Sequence, residues 1–147
     1  MTDLEKIREW LSGYPGKLPV RQLQVDYFSV HPDDGSIDPS GLIEVSRTAD
    51  IMGNVTAENQ LNFALYFTLL KSPGDDPGAT ENADMLLDLQ KWIQEQSIKK
   101  LVPVFGDDPD SETVKAQNGA LHLTDEEGVG IYTLQLSINY IKFYEVN

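Results

Sequence analysis

A zinc site or a Ser/His/Asp arrangement in this chain would have to use one of two histidines, His31 and His122, and there is no cysteine. Neither histidine stands in a zinc-binding spacing, and neither has a nucleophile elbow beside it. The other residues able to do chemistry are carboxylates. They cluster in three short stretches: Asp33-Asp34, Asp75-Asp76, and Asp107-Asp108 with Asp110. Such stretches look superficially like calcium ligands. A calcium loop, however, needs oxygen donors at alternate positions, a central glycine and a terminal glutamate, and none of the three has that pattern. Each instead lies beside proline or glycine, where a short polar side chain favours a turn. Gly128-Val129-Gly130 lacks the Lys-Ser/Thr pair and the helix start of a phosphate loop. Sequence spacing alone does not place two carboxylates across a substrate. The expectation is a protein without catalytic residues, metal or cofactor. Its acidic loops, with Asp75, Asp76, Asp107, Asp108 and Asp110, are then candidate contacts to partner proteins or to further copies of the chain in a ring.

The elements that carry these loops follow from hydrophobic periodicity. Leu61, Phe63, Leu65, Phe67 and Leu69 alternate with Asn62, Ala64, Tyr66 and Thr68, the signature of a long strand with one face on a core. Tyr132, Leu134, Leu136, Ile138 and Tyr140 alternate in the same way and predict a second long strand. Its hairpin partner is expected within 114–123, bent near Asn118-Gly119. Residues 3–11 read as a short amphipathic helix, with Leu4, Ile7 and Leu11 on one face and Thr2 or Asp3 as N-cap. It ends at Gly13-Tyr14-Pro15-Gly16. Residues 81–96 read as a longer helix with the stripe Met85, Leu86, Leu89, Trp92 and Ile93, capped by Thr80 or Asn82.

The remaining chain is less regular. Residues 23–27 read as a strand, with a bulge or strand end at Phe28 and Val30. Residues 31–41 read as a loop by turn chemistry, and 42–47 as a returning strand. Residues 49–58 fit either a short strand or an irregular edge, and 71–79, with two proline–glycine breakers, a loop. Proline interrupts the apolar run 101–105, which favours an edge or docking segment over a central strand. Residues 124–128 make a tight connection. The pattern predicts one α+β domain: a mixed, mostly antiparallel sheet of four to five strands with two helices packed on it.

The chain has 147 residues and a formal net charge of −13. That charge argues against DNA, RNA or anionic membranes as direct partners, since such binding rests on lysine and arginine meeting phosphate. No run approaches the roughly 20 apolar residues of a membrane span. The charged opening Met1-Thr2-Asp3-Leu4-Glu5-Lys6 shows no apolar signal-peptide core.

Four stretches, spaced over nearly the whole chain, carry a family resemblance. They are Leu4-Glu5-Lys6-Ile7-Arg8-Glu9-Trp10-Leu11, the strand–loop from Val25-Asp26-Tyr27 to Ser36-Ile37-Asp38-Pro39, Leu89-Gln90-Lys91-Trp92-Ile93-Gln94-Glu95-Gln96, and Tyr132-Thr133-Leu134-Gln135-Leu136. In order and spacing they resemble small minor capsid proteins of phages integrated in Gram-positive bacteria, related in plan to tail terminators. None of the four is a chemical signature. The resemblance implies a structural role in the virion, at the head–tail neck, after assembly in the host cytoplasm. It implies a ring of identical subunits, commonly a hexamer, that caps the tail tube. The implied partners are other copies of the chain, the tail-tube protein and the head-completion or connector protein. The alternative is an acidic cytoplasmic binding or regulatory module without catalysis. A DNA mimic is disfavoured, because the acids sit in turns rather than along one face.

Overall fold

The computed structural model describes residues 1–26, 32–71, 74, 76–124 and 128–146; of Asp76 and Leu123 it describes the backbone. Two strands form its spine. β3 (Val55–Leu70) and β5 (Val129–Tyr144) pair antiparallel along their full lengths, from Val55 opposite Tyr144 to Leu70 opposite Val129. In that register Leu61, Phe63, Leu65 and Phe67 stand opposite Ile138, Leu136, Leu134 and Tyr132. Directly opposite residues share a sheet face, so the two period-2 patterns merge into one apolar surface. Phe63, Leu65, Phe67, Leu134, Leu136 and Ile138 are all buried in it.

The remaining strands flank this pair. β2 (Asp34–Ala49) is antiparallel to β3, and β4 (Thr113–Thr124) is antiparallel to β5. A two-residue β1 (Gln24–Val25) runs parallel to the start of β2. The order is β1-β2-β3-β5-β4, a five-stranded mixed sheet with one parallel pair. With its two helices the chain is an α+β fold, as the sequence predicts.

Both helices contribute to one core with the apolar sheet face. α1 (Asp3–Ser12) buries Ile7 and Leu11 completely, and Thr2 caps it by accepting the Glu5 N–H at 3.2 Å. α2 (Asp76–Ile98) buries Leu86, Leu89 and Ile93, with Met85 and Trp92 packed against them. The Trp10 and Trp92 rings stack at 5.2 Å, and Tyr14 meets Trp92 edge-on at 5.3 Å. The buried Tyr14 hydroxyl donates to Asp88, which ties the end of α1 to α2.

Four boundaries differ from the sequence expectation. β2 starts at Asp34, inside the stretch that reads as a loop, because burial of Ser36 and Ile37 against the sheet outweighs the turn chemistry around them. Proline is tolerated at Pro39 because β2 has an unpaired edge there. α2 starts at Asp76 rather than near residue 81. Pro77 then falls in the first turn, where its missing N–H breaks no helical bond. Asn82 is consequently inside the helix rather than at its cap, and its amide donates to the Leu70 carbonyl at 2.9 Å. β3 begins at Val55, so residues 55–58 of the ambiguous 49–58 segment are regular strand and 50–54 form the turn before it. The strand expected over 23–27 shrinks to β1; its end at Tyr27, and the bulge at Phe28 and Val30, lie outside the described residues. So do Ser72, Pro73 and Asp75 of the 71–79 loop and 125–127 of the last connection. The bend near Asn118-Gly119 coincides with a register shift between Gln117 and Ala120 and a left-handed Asn118 at φ 58°.

Candidate functional site

Among the described residues, the acidic side chains singled out from sequence do not converge. Asp75 lies outside the described residues, and Asp76 opens α2. Asp107 uses both carboxylate oxygens within the chain. One accepts the Phe143 N–H at 2.9 Å, the other lies 3.4 Å from Lys142 Nζ, and the Asp107 N–H donates to the Ile141 carbonyl. The Phe143 N–H, and secondarily Lys142, hold its carboxyl below the ordinary 3.8. Asp107 therefore staples the 106–110 loop to the end of β5. Asp108 precedes a 3-10 turn (Pro109–Ser111), where its carbonyl accepts from the Ser111 hydroxyl, and Asp110 is exposed on that turn. His122 is exposed, its ring centre 5.8 Å from that of Tyr66 in an edge-on arrangement; His31 lies outside the described residues. Among the described residues no three His, Cys, Asp or Glu side chains gather as a metal-ligand set. No helix among them is long and apolar enough to cross a membrane.

The 101–105 segment docks rather than pairs. Phe105 is buried, and buried Glu112 accepts the N–H groups of Phe105 at 2.8 Å and Gly106 at 3.0 Å. This carboxylate pins the loop that carries Asp107, Asp108 and Asp110 to the start of β4.

The surface that most needs explanation is at the other end of the sheet. β4 stops pairing at Asn139, so beyond it the sheet narrows to three strands: β2, β3 and the end of β5. Every residue of β2 from Pro39 to Ala49 is exposed, although all but two hold paired positions on β3. The two unpaired residues, Ser40 and Val45, sit at the register shifts. At about 3.3 Å per residue, residues 41–49 form an arm ~27 Å long. Its exposed side chains include Leu42, Ile43 and Val45 on β2, and Phe143 and Tyr144 on β5.

The arm tip is built rather than loose. The Asp50 carboxylate accepts the N–H groups of Met52 and Asn54, each at 2.9 Å, and the Gly53 N–H closes the turn on the Asp50 carbonyl. Gly53 takes φ +85°, a conformation that favours glycine. The tip thereby holds Ile51 and Met52 into solvent, and Ile51 is fully exposed at 102 %. Lower on the arm the Arg47 guanidinium makes a two-pronged contact with Glu44, at 2.7 and 2.8 Å, on the sheet face that also carries Leu42.

Several exposed large apolar residues on one projecting element are an unusual surface for an isolated chain. The outer edge of β2 is open as well. Among the described residues no strand pairs with it beyond Ile37. Comparison of the chain with protein-family models and with curated protein sequences returns no match.

Sequence reasoning did not isolate the arm. The available signal was Asp50-Ile51-Met52-Gly53-Asn54, a turn-forming frame around two apolar residues, between two β-prone runs.

Proposed function

We propose that this chain is a structural virion protein of the phage head–tail neck, a tail terminator or minor capsid subunit that assembles into a ring, caps the tail tube and meets the head connector. The observation that carries the self-assembly part is the arm. Leu42, Ile43, Val45, Ile51 and Met52 are solvent-exposed, and the neighbouring β2 edge is unpaired among the described residues. Burying an exposed Val, Leu, Ile or Met side chain is worth about 1.5–3 kcal/mol, so such a set favours association. The placement at the neck rests on the four stretches that resemble phage minor capsid proteins. A structural role also suits a loop in which Asp107 is committed to an internal staple and Asp110 is exposed beside it.

Sedimentation across a salt series, with and without isolated tail tubes, tests this reading. Each subunit carries −13, so assembly should rise with ionic strength as the screening length falls to about 8 Å near physiological salt. Rings visible by electron microscopy, bound to tube ends, are the expected result. A chain that stays monomeric at every salt and protein concentration, and ignores tube ends, is not a tail terminator.

A further inference from the structure

Resting on that reading, we propose that the groove between α2 and β4 is the seat for the β2–β3 arm of a second copy of this chain. The groove has a volume of about 490 Å³ and is walled by Leu87, Lys91, Gln94 and Ile98 of α2 and by Lys115 and Ala116 of β4. The four helix residues follow at intervals of four, three and four, so they form one stripe along α2, beside the stripe that enters the core. Leu87 and Ile98 are more than half exposed. The exposed apolar ends of this stripe, Leu87 and Ile98, are the kind of surface that receives apolar knobs.

Charge selects the occupant. The chain has 24 acidic and 11 basic residues, yet no acid lines this groove. Lys91 and Lys115 line it, and among the described residues neither has an ion-pair partner. The arm has the complementary make-up: residues 41–60 contain Glu44, Asp50 and Glu58 against Arg47 alone, a net charge of −2. With Glu44 held by Arg47 and Asp50 by its turn, Glu58, on the sheet face of exposed Ile43, is the carboxylate left to meet the lysines. Lysine–carboxylate contacts act over a few ångströms. Salt that screens the longer-range repulsion between subunits leaves them largely in force.

Topology makes the contact intermolecular and directional. β2 and β4 lie on opposite sides of the β3–β5 pair, so the arm and the groove face away from each other within one chain. Arm into groove is therefore a head-to-tail contact between different surfaces, the kind that closes into a ring when the rotation per step permits.

Hydrogen bonding fixes the mode. The β4 edge facing the groove is already engaged by α2: Val114 N–H donates to Ser97 Oγ at 3.0 Å, and Gln90 Nε2 donates to the Ala116 carbonyl at 3.2 Å. A strand added to β4 would have to displace both bonds. The arm docks by side chains, with Ile43 and its neighbours between Leu87, Ile98 and Ala116.

Because the chain has no cysteine, the contact can be trapped selectively. Ile43→Cys and Ile98→Cys proteins are mixed in equal amounts under mild oxidation, with exposed Arg21→Cys replacing Ile98→Cys as control. In parallel, sedimentation measures the Lys91→Glu/Lys115→Glu variant, checked for folding by circular dichroism. The expected results are a predominant Ile43→Cys/Ile98→Cys heterodimer and a dissociation constant raised about tenfold or more by the charge reversal. Rings that form without this cross-link, and that tolerate the charge reversal, overturn the groove and leave ring assembly standing. A parent chain that is monomeric under all conditions overturns both.

Discussion

The fully exposed Ile51 offers a clean separation between folding and assembly. In the isolated chain its side chain touches almost nothing, and it occupies a turn in which serine is at home. Ile51→Ser should therefore leave the melting temperature within ~2 °C, since surface changes away from special features stay within about 0.5 kcal/mol. Assembly should respond very differently. If the arm tip is buried by a neighbouring subunit, the substitution removes the transfer energy of one isoleucine side chain, about 1.5–3 kcal/mol. At 1.4 kcal/mol per factor of ten, that raises the subunit dissociation constant roughly 10- to 150-fold. Ile51→Val removes one methylene, ~0.8 kcal/mol, and should raise it only about fourfold. The assay is sedimentation equilibrium on the three proteins, alongside a thermal melt of each. A dissociation constant identical for all three would remove the tip from the interface. A melting temperature lowered by many degrees in Ile51→Ser would mean that the side chain packs within its own subunit.

Three further predictions concern the parts that hold the site in place. Glu112→Ala strands the Phe105 and Gly106 N–H groups and should cost ~2–4 kcal/mol in urea unfolding; no change in midpoint would show that the loop does not need this carboxylate. Asp107 has a folded pKa below its ordinary 3.8, so between those two values the unfolded chain binds more protons. Its contribution is present above pH 4 and lost as pH falls through the folded value, so Asp107→Asn should flatten the acid limb of the stability–pH curve; superimposable curves would refute the staple. Burial first, and the Asp88 contact second, raise the Tyr14 hydroxyl well above its ordinary 10.0. The stability it adds is present below pH 10 and fades as pH rises above it, so Tyr14→Phe should cost ~1–2 kcal/mol at neutral pH and lose the parent's extra alkaline decline.

The sheet's spine was legible because its information is local. Phe63, Leu65, Phe67, Leu134 and Leu136 declare their face by alternation, and pairing β3 with β5 only adds the partner. The helix stripe Leu86, Leu89 and Ile93 is legible for the same reason. β2 was not. Asp34, Gly35, Asp38 and Pro39 have turn chemistry, and only the register against β3 makes them extended. Gly35 shows the override directly, since a Cβ there would lie 2.4 Å from the Pro19 carbonyl oxygen and 2.8 Å from Leu23. That close approach depends on a neighbour sixteen residues away in the chain, which no local pattern reveals. The arm was hidden differently. Ile43 and Val45 look like ordinary core-facing strand residues until the structure leaves each about half exposed. The acidic loops drew attention through composition, but composition did not reveal that Asp107 is committed to the Phe143 N–H and Lys142.

The two sides of the sheet are managed unequally, and the inequality bears on what the chain can build. Exposed strand edges invite ladder pairing with further copies, which leads to open-ended sheets. On β4 that route is obstructed by Ser97 and Gln90 from α2 and by the irregularity at Asn118. On β2 it is obstructed by Pro39, which lacks an N–H, and by register shifts between Pro39 and Gly41 and between Glu44 and Ser46. Neither edge offers a long regular ladder, yet the arm that carries the second of these shifts keeps its apolar side chains exposed. Association is then left to side chains, whose fit fixes one angle between neighbours. A fixed angle is what a closed ring requires, and a continuous ladder does not supply it.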